Sequence, residues 1–157
     1  MSQPNDGVEP QLRAARAADL PILQVLEALF PGDRLSPRQL RHHLGNPHAV
    51  MRVIETDYTL AGYSLLLTRS GSHAGRLYSI AVAPAFRGQG LGKRLLDDVA
   101  AQARARGCRE LRLEVREDNE TAIRLYRNYG FSLLERRPSY YQDGTDALRF
   151  RLDIASG

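Results

Sequence analysis

One cysteine stands among 157 residues, and that scarcity closes several routes to a stable fold or a reactive centre. Cys108 alone cannot make an intramolecular disulfide, a multi-thiolate zinc site or an iron–sulfur cluster, and it suits a reducing compartment. The four histidines, His42, His43, His48 and His73, have no ligand spacing or partner set that argues for a metal. No apolar run approaches the roughly 20 residues that span a bilayer. The start, Met1-Ser2-Gln3-Pro4-Asn5-Asp6-Gly7, lacks the basic residues and apolar stretch of a secretion signal. A cytoplasmic protein with no membrane partner is expected. Charge of one sign is not concentrated either. The formal balance is +4, from 22 basic and 18 acidic side chains, but arginine alternates with acid, as in Arg109-Glu110, Arg112, Glu114 and Arg116-Glu117. The clustered basic stripe of a specific nucleic-acid surface is therefore missing, while a polyanionic small ligand stays open.

What is present suffices for one ordinary domain. A chain of roughly 150 residues buries about two-thirds of its unfolded surface, so neither disulfides nor a structural metal are needed to hold a core. Residues 1 to about 10 read as a frayed polar tail, and 11–157 as one domain. Asp19 ahead of Leu20-Pro21-Ile22-Leu23, followed by apolar Val25, Leu26, Leu29 and Phe30, predicts a capped amphipathic helix stopped at Pro31-Gly32. Ser36-Pro37-Arg38-Gln39 carries a capping box with Pro at the first helical position, and Gly45 closes that second helix. Val50 to Thr56 and Leu60 to Thr68 read as a hairpin. Residues 69–75 read as a loop. Leu77 to Ala83, apolar on both faces, reads as a central strand.

Leu91, Leu95, Leu96, Val99, Ala100 and Ala103 recur at helical spacing, and Gly107 ends that helix. The next strand alternates Leu111, Leu113 and Val115 with Glu110, Arg112, Glu114 and Arg116. A fourth helix from about Asn119 to Tyr129 buries Ala122, Leu125 or Tyr126, and Tyr129, and is closed by Gly130. Phe131 to Arg137 and Ala147 to Ile154 are two further strands around a loop at 138–146. The order α-α-β-β-β-α-β-α-β-β predicts a mixed α/β (α+β) fold: one twisted mixed sheet flanked by about four helices.

The most informative segment is Arg87-Gly88-Gln89-Gly90-Leu91-Gly92-Lys93-Arg94, between a strand and a helix. At a helix start several backbone N–H groups lack intrahelical acceptors, and glycines let a phosphate approach them closely. A Walker loop would need Gly at Arg87 and Ser or Thr at Arg94. A dinucleotide fingerprint would need Gly at Lys93, although Glu110, about 20 residues on, mimics its ribose-binding acid. A turn that merely permits tight strand-to-helix packing is the plain alternative.

Arg87-x-x-Gly90-x-Gly92 after Val82-Ala83-Pro84 resembles the acyl-CoA pyrophosphate loop of the GNAT superfamily of N-acetyltransferases. Leu113-Glu114-Val115-Arg116, then Asn119, Ala122, Leu125-Tyr126 and Gly130-Phe131, resemble the second half of the same module. With Tyr140-Tyr141, Gly144, Asp146 and Ala147, they look most like the RimI-type ribosomal-protein alanine N-acetyltransferases. The likeness covers Leu77 to Ile154 well. Before that it rests on the order of elements and on Leu29-Phe30-Pro31.

This resemblance implies a single N-acetyltransferase domain that uses acetyl-CoA as cosubstrate and no metal. It implies direct transfer to a primary amine, preferably a protein N-terminal α-amine such as that of a ribosomal protein, by a monomer or homodimer. A small amine, amino acid or lysine side chain is the alternative acceptor, and a non-catalytic acyl-CoA-binding module the second alternative. An amine must be neutral to attack, so a base is required. The resemblance assigns that role to Glu114, which otherwise reads as an ion-pair partner of Arg112 or Arg116. Tyr126 is implied as the acid that protonates the leaving thiolate, though it also falls on the buried stripe of its helix. The backbone of Ile80, Ala81 and Val82 is implied along the pantetheine arm, with the Val82 N–H toward the oxyanion. Arg87, Gly88, Gln89, Gly90, Leu91, Gly92 and Lys93 would surround the pyrophosphate. Asn119 would lie beside the cofactor and reads equally as a helix N-cap. Arg124 and Arg127 read as solvent-facing. Leu29, Phe30, Tyr140 and Tyr141 would line the acceptor, with Pro138-Ser139 a departure from the family pattern. Cys108 reads as a small buried hydrophobe.

Overall fold

Seven strands and four helices follow one another in a computed structural model that describes residues 9–30 and 35–155. They are β1 (Gln11–Ala14), α1 (Leu20–Ala28), α2 (Pro37–Leu44), β2 (Ala49–Thr56), β3 (Thr59–Leu67), β4 (Ala74–Val82), α3 (Leu91–Ala105), β5 (Glu110–Arg116), α4 (Glu120–Tyr129), β6 (Ser132–Arg137) and β7 (Ala147–Asp153). The strands lie in the order β1-β2-β3-β4-β5-β7-β6. β4 and β5 run parallel, while β1–β2, β5–β7 and β6–β7 are antiparallel, which is the mixed α/β class expected. Most of the expected polar tail, and the Pro31-Gly32 stop of the first helix, lie outside the described residues.

Local chemistry accounts for most boundaries. The capping box forms as its spacing predicts: the Gln39 N–H donates to Ser36 Oγ at 3.1 Å and the Ser36 N–H donates to Gln39 Oε1 at 2.8 Å. Asp57 and Tyr58 take φ of 53° and 60°, the left-handed pair that a tight two-residue hairpin between β2 and β3 requires. Leu111, Leu113 and Val115 are buried on one face of β5, as the alternation required.

Three expectations need correction. β1 has no counterpart in the predicted order: four residues without an apolar alternation are held to β2 by register, from Gln11↔Glu55 to Ala14↔Arg52. Asp19 does not cap α1. It faces Arg13, which donates to both of its carboxylate oxygens at 2.8 Å, and it accepts the Arg16 N–H at 2.7 Å; the guanidinium holds its carboxyl below the ordinary range. On α1 and β4, apolar periodicity overstated burial. Val25 and Leu29 are more than half exposed, and β4 turns Arg76 and Tyr78 outward with the guanidinium 5.2 Å from the ring centroid.

The chain divides into two compact units. In the first, Met1–Leu65 with Ser79–Leu95, the buried cluster Ile54, Ala61, Leu91 and Leu95 is packed by Leu12, Ile80, Val82 and Phe86. In the second, Leu66–Tyr78 with Leu96–Gly157, the core holds Leu96, Val99, Ala103, Leu111, Leu113, Phe131 and Phe150. Tyr126 is the buried residue of α4; Ala122, Leu125 and Tyr129 are only half-buried.

Candidate active site

The glycine turn begins after a single helical turn at Pro84–Phe86 that follows β4. Gly88 and Gly90 have φ of 81° and 77°, a region that favours glycine, and a Cβ at either would meet nothing within 4 Å. These glycines serve backbone conformation, and tight packing at that spot is not their purpose. The Arg94 N–H donates to Gly90 O at 3.2 Å, the bond that opens α3, so first-turn amides such as those of Leu91 and Gly92 precede the helical ladder. Buried Leu91 anchors this helix start in its cluster, while Gln89, Gly90 and Lys93 are exposed. Arg87 lays its guanidinium 5.5 Å from the Phe30 ring centroid.

The approach to the turn packs closely against β3. The Ala83 N–H donates to Ala61 O at 2.8 Å, and a Cβ on Gly62 would sit 2.5 Å from Ala81 O. Ile80 and Val82 pack on the first unit's cluster. The parallel ladder between β4 and β5 holds three pairs, Ala74↔Glu110, Gly75↔Leu111 and Arg76↔Arg112, and Leu77 lies beyond it.

Glu114 has a side chain only 9% exposed. The ion pairs with Arg112 or Arg116 that its neighbours in sequence suggested do not form. Arg112 turns to Glu110 at 3.2 Å, and Arg116 turns to Asp118, Asp143 and Thr145. Glu114 Oε1 instead meets Arg76 at 3.0 Å and Arg149 at 3.7 Å, and accepts the Tyr140 hydroxyl at 3.4 Å. All three approach the same carboxylate oxygen. Arg76 and Arg149 were not singled out from the sequence. The register places Arg149 directly opposite Glu114 across the β5–β7 ladder, a relation that no spacing within either segment encodes.

Tyr126 is buried and packs edge-on against Phe131, ring centroids 5.5 Å apart. Burial pushes its phenol well above the ordinary tyrosine range, so it stays protonated. Asn119 is the N-cap of α4, its side-chain oxygen accepting the Ala122 N–H at 3.1 Å. Arg124 and Arg127 are exposed, and Arg127 lies over the Phe150 ring at 5.2 Å. In the loop after β6, Tyr140 and Tyr141 meet edge to face at 5.1 Å, and the Arg116 guanidinium lies 4.9 Å from the Tyr141 centroid. Cys108 is buried, which pushes its thiol up. Within single units, then, the structure brings Glu114 to Tyr140 and Phe30 to Arg87.

Among the described residues, no group of three or more His, Cys, Asp and Glu side chains is arranged to hold a metal, and no helix is long and apolar enough to cross a membrane. The mixed sheet, with a glycine turn opening a helix and an acid in the following strand, defines a class of coenzyme-dependent α/β transferases. The family is defined more narrowly by comparison: the model of the acetyltransferase (GNAT) family matches residues 19–131, and the chain belongs to that family of acetyl-CoA-dependent N-acetyltransferases. It is 37% identical over 145 residues to the N-alpha-acetyltransferase RimI of Mycobacterium tuberculosis (strain ATCC 25618 / H37Rv), covering 89% of this chain and 90% of that one. It is 39% identical over 133 residues, 82% of this chain, to an uncharacterised protein of Mycobacterium leprae (strain TN), of whose length it spans 36%. The solved ribosomal-protein-S18-alanine N-acetyltransferase from Escherichia coli matches with a TM-score of 0.83 at 26% identity, over 95% of this chain and 96% of that chain.

Proposed function

We propose that the protein acetylates the α-amine of a cytoplasmic protein N-terminus, such as that of a ribosomal protein, by direct attack on acetyl-CoA without an acyl-enzyme. The observation that carries this reading is the largely buried Glu114 carboxylate, held through Oε1 by two arginines and a tyrosine. The Glu114 carboxylate, directly or through one water, takes a proton from the ammonium group and so frees the nitrogen lone pair. That pair forms the C–N bond at the thioester carbonyl, and the Val82 N–H donates to the oxygen as it gains charge. Tyr126 gives its proton to the sulfur as the C–S bond breaks, and burial keeps the phenol protonated until then. The new amide nitrogen gives up its second proton to restore the phenol, directly or through water. The turn from Arg87 through Gly88, Gln89, Gly90, Leu91 and Gly92 to Lys93 takes the pyrophosphate. Ile80, Ala81 and Val82 lie along the pantetheine, and Asn119 lies beside the cofactor. Leu29, Phe30, Tyr140 and Tyr141 line the acceptor. The N-terminal acetyltransferases named among the relatives support an α-amine over other amines.

The test is acetyl-CoA turnover against peptides with different first residues, including alanine, beside a panel of free amines. Peptide turnover well above that of any free amine is expected. Rapid turnover of a small amine with inert peptides overturns the acceptor, and absence of coenzyme A binding overturns the whole reading.

A further inference from the structure

A second buried carboxylate lies outside the proposed chemistry. Glu27, in the last turn of α1, is 9% exposed and has no ion-pair partner among the described residues. Its Oε1 takes two hydrogen bonds, from the Leu35 N–H at 3.1 Å and from the Tyr63 hydroxyl at 3.0 Å. Tyr63 is fully buried in β3, and its oxygen lies 2.8 Å from Ser79 Oγ on β4. A carboxylate only accepts, so the single hydroxyl hydrogen of Tyr63 is committed to Glu27 and Ser79 must donate to Tyr63. The result is a directed chain, Ser79 to Tyr63 to Glu27, with Leu35 donating from the other side, and each bond polarises the next.

Burying a carboxylate is penalised even where hydrogen bonds satisfy it, and an apolar side chain at this place would pack with less penalty. What the carboxylate secures is position. It ties the end of α1 to Leu35, one residue before the Ser36 cap of α2, and to Ser79, one residue before Ile80. Leu29 and Phe30 lie two and three residues after Glu27, and the Phe30 ring also lies against the Arg87 guanidinium of the glycine turn.

We propose that Glu27, through Leu35, Tyr63 and Ser79, is a positioning residue that holds Leu29 and Phe30 for acceptor binding; this rests on the acceptor wall proposed above. The measurement is steady-state kinetics with acceptor and acetyl-CoA varied separately, on Glu27→Ala, Glu27→Gln and Tyr63→Phe, with coenzyme A affinity by calorimetry and active enzyme counted by a saturating-ligand titration. Glu27→Ala should raise the acceptor KM about tenfold, the scale of one buried hydrogen bond to a charged group, while acetyl-CoA affinity stays within about twofold. Glu27→Gln keeps an accepting oxygen and should recover most of that loss. Tyr63→Phe keeps the Leu35 bond and should fall between. A purely structural role would lower thermal stability or the active fraction while leaving the two constants of the active enzyme in their wild-type ratio, and that result overturns the proposal. If Glu27→Ala does not fold, unchanged acceptor KM in both Glu27→Gln and Tyr63→Phe overturns it equally. The split is read with whichever amine the wild type acetylates, so an inert peptide refutes the N-terminal acceptor without touching this test.

Discussion

Around Gly88 and Gly90 the space beside the main chain is open, whereas on the polar face of β5 every side chain is engaged by others. Glu110 meets Arg151 at 2.5 Å, Glu114 meets Arg76 and Arg149, and Arg116 meets Asp143 and Thr145. The turn depends on residues that permit a backbone shape, so removing one of its side chains should change little. The β5 face depends on partners from β4, β7 and the loop at 138–146, so each member matters through the others. A main-chain site is written where it stands, and a side-chain site is written across the sheet.

The sharpest way to break this contrast is to alter chemistry on the side-chain region alone. Glu114→Gln keeps shape and an accepting oxygen but removes the proposed base, and Tyr126→Phe removes the proton of the proposed acid. Each should lower kcat by about 10²-fold or more, in line with acid–base contributions, with acetyl-CoA affinity unchanged by calorimetry. A loss of coenzyme A affinity in place of kcat would show that the two regions do not divide binding from chemistry. The pH profile adds a sign. Burial raises the Tyr126 phenol above its ordinary value near 10, so the acid form persists through neutral and mildly alkaline pH. No decline of kcat below about pH 10 should trace to Tyr126, and wild type and Tyr126→Phe should have the same profile shape over that range.

Within the main-chain region, two glycines separate conformation from space. Gly90→Ala meets no neighbour but puts a side chain at φ of 77°, a strain of roughly 1–2 kcal/mol. The turn should relax away from the shape proposed to bind the pyrophosphate, weakening coenzyme A up to about tenfold in a calorimetric titration. Gly62→Ala has the opposite fault: its Cβ would strike Ala81 O at 2.5 Å, and the overpacking should destabilise by roughly 1–3 kcal/mol in a denaturant melt. Equal effects of both on affinity and stability would mean that the turn is packed like the rest of the fold.

Legibility followed the same division. Ser36-Pro37-Arg38-Gln39, Asn119 and Gly130 act within a few residues of themselves, and each ends or begins a helix where its type and spacing required. The stripe of α3 and the alternation of β5 were equally readable, because one buried face sets the period. β1 was invisible because a four-residue edge strand is held by hydrogen bonds to β2 and carries no pattern of its own. Asp19 was misread because Arg13, six residues away, competes for its carboxylate. At the candidate site, Glu114 stood out by type, but its partners Arg76 and Arg149 come from other strands, and the Glu27–Tyr63–Ser79 chain joins residues 36 and 16 positions apart.

The smallest expected effect lies where the side-chain network reaches solvent. Arg116 and the Thr145 N–H draw the exposed Asp143 carboxyl down to about 2 from its ordinary 3.8. The depressed value means that the pairing adds stability above pH 4 and loses it as pH falls toward 2. Near neutrality the pairing is complete, yet water screens it, and Arg116 still holds the loop through Thr145 and the Tyr141 ring. Asp143→Asn should therefore leave the melting temperature at pH 7 almost unchanged and shift the acceptor KM by no more than about twofold, within the range of exposed pairs. An effect comparable to that of Glu114→Gln would show that the loop geometry around Tyr140 and Tyr141 hangs on this one exposed pair, and that the β5 face has no redundancy at its rim.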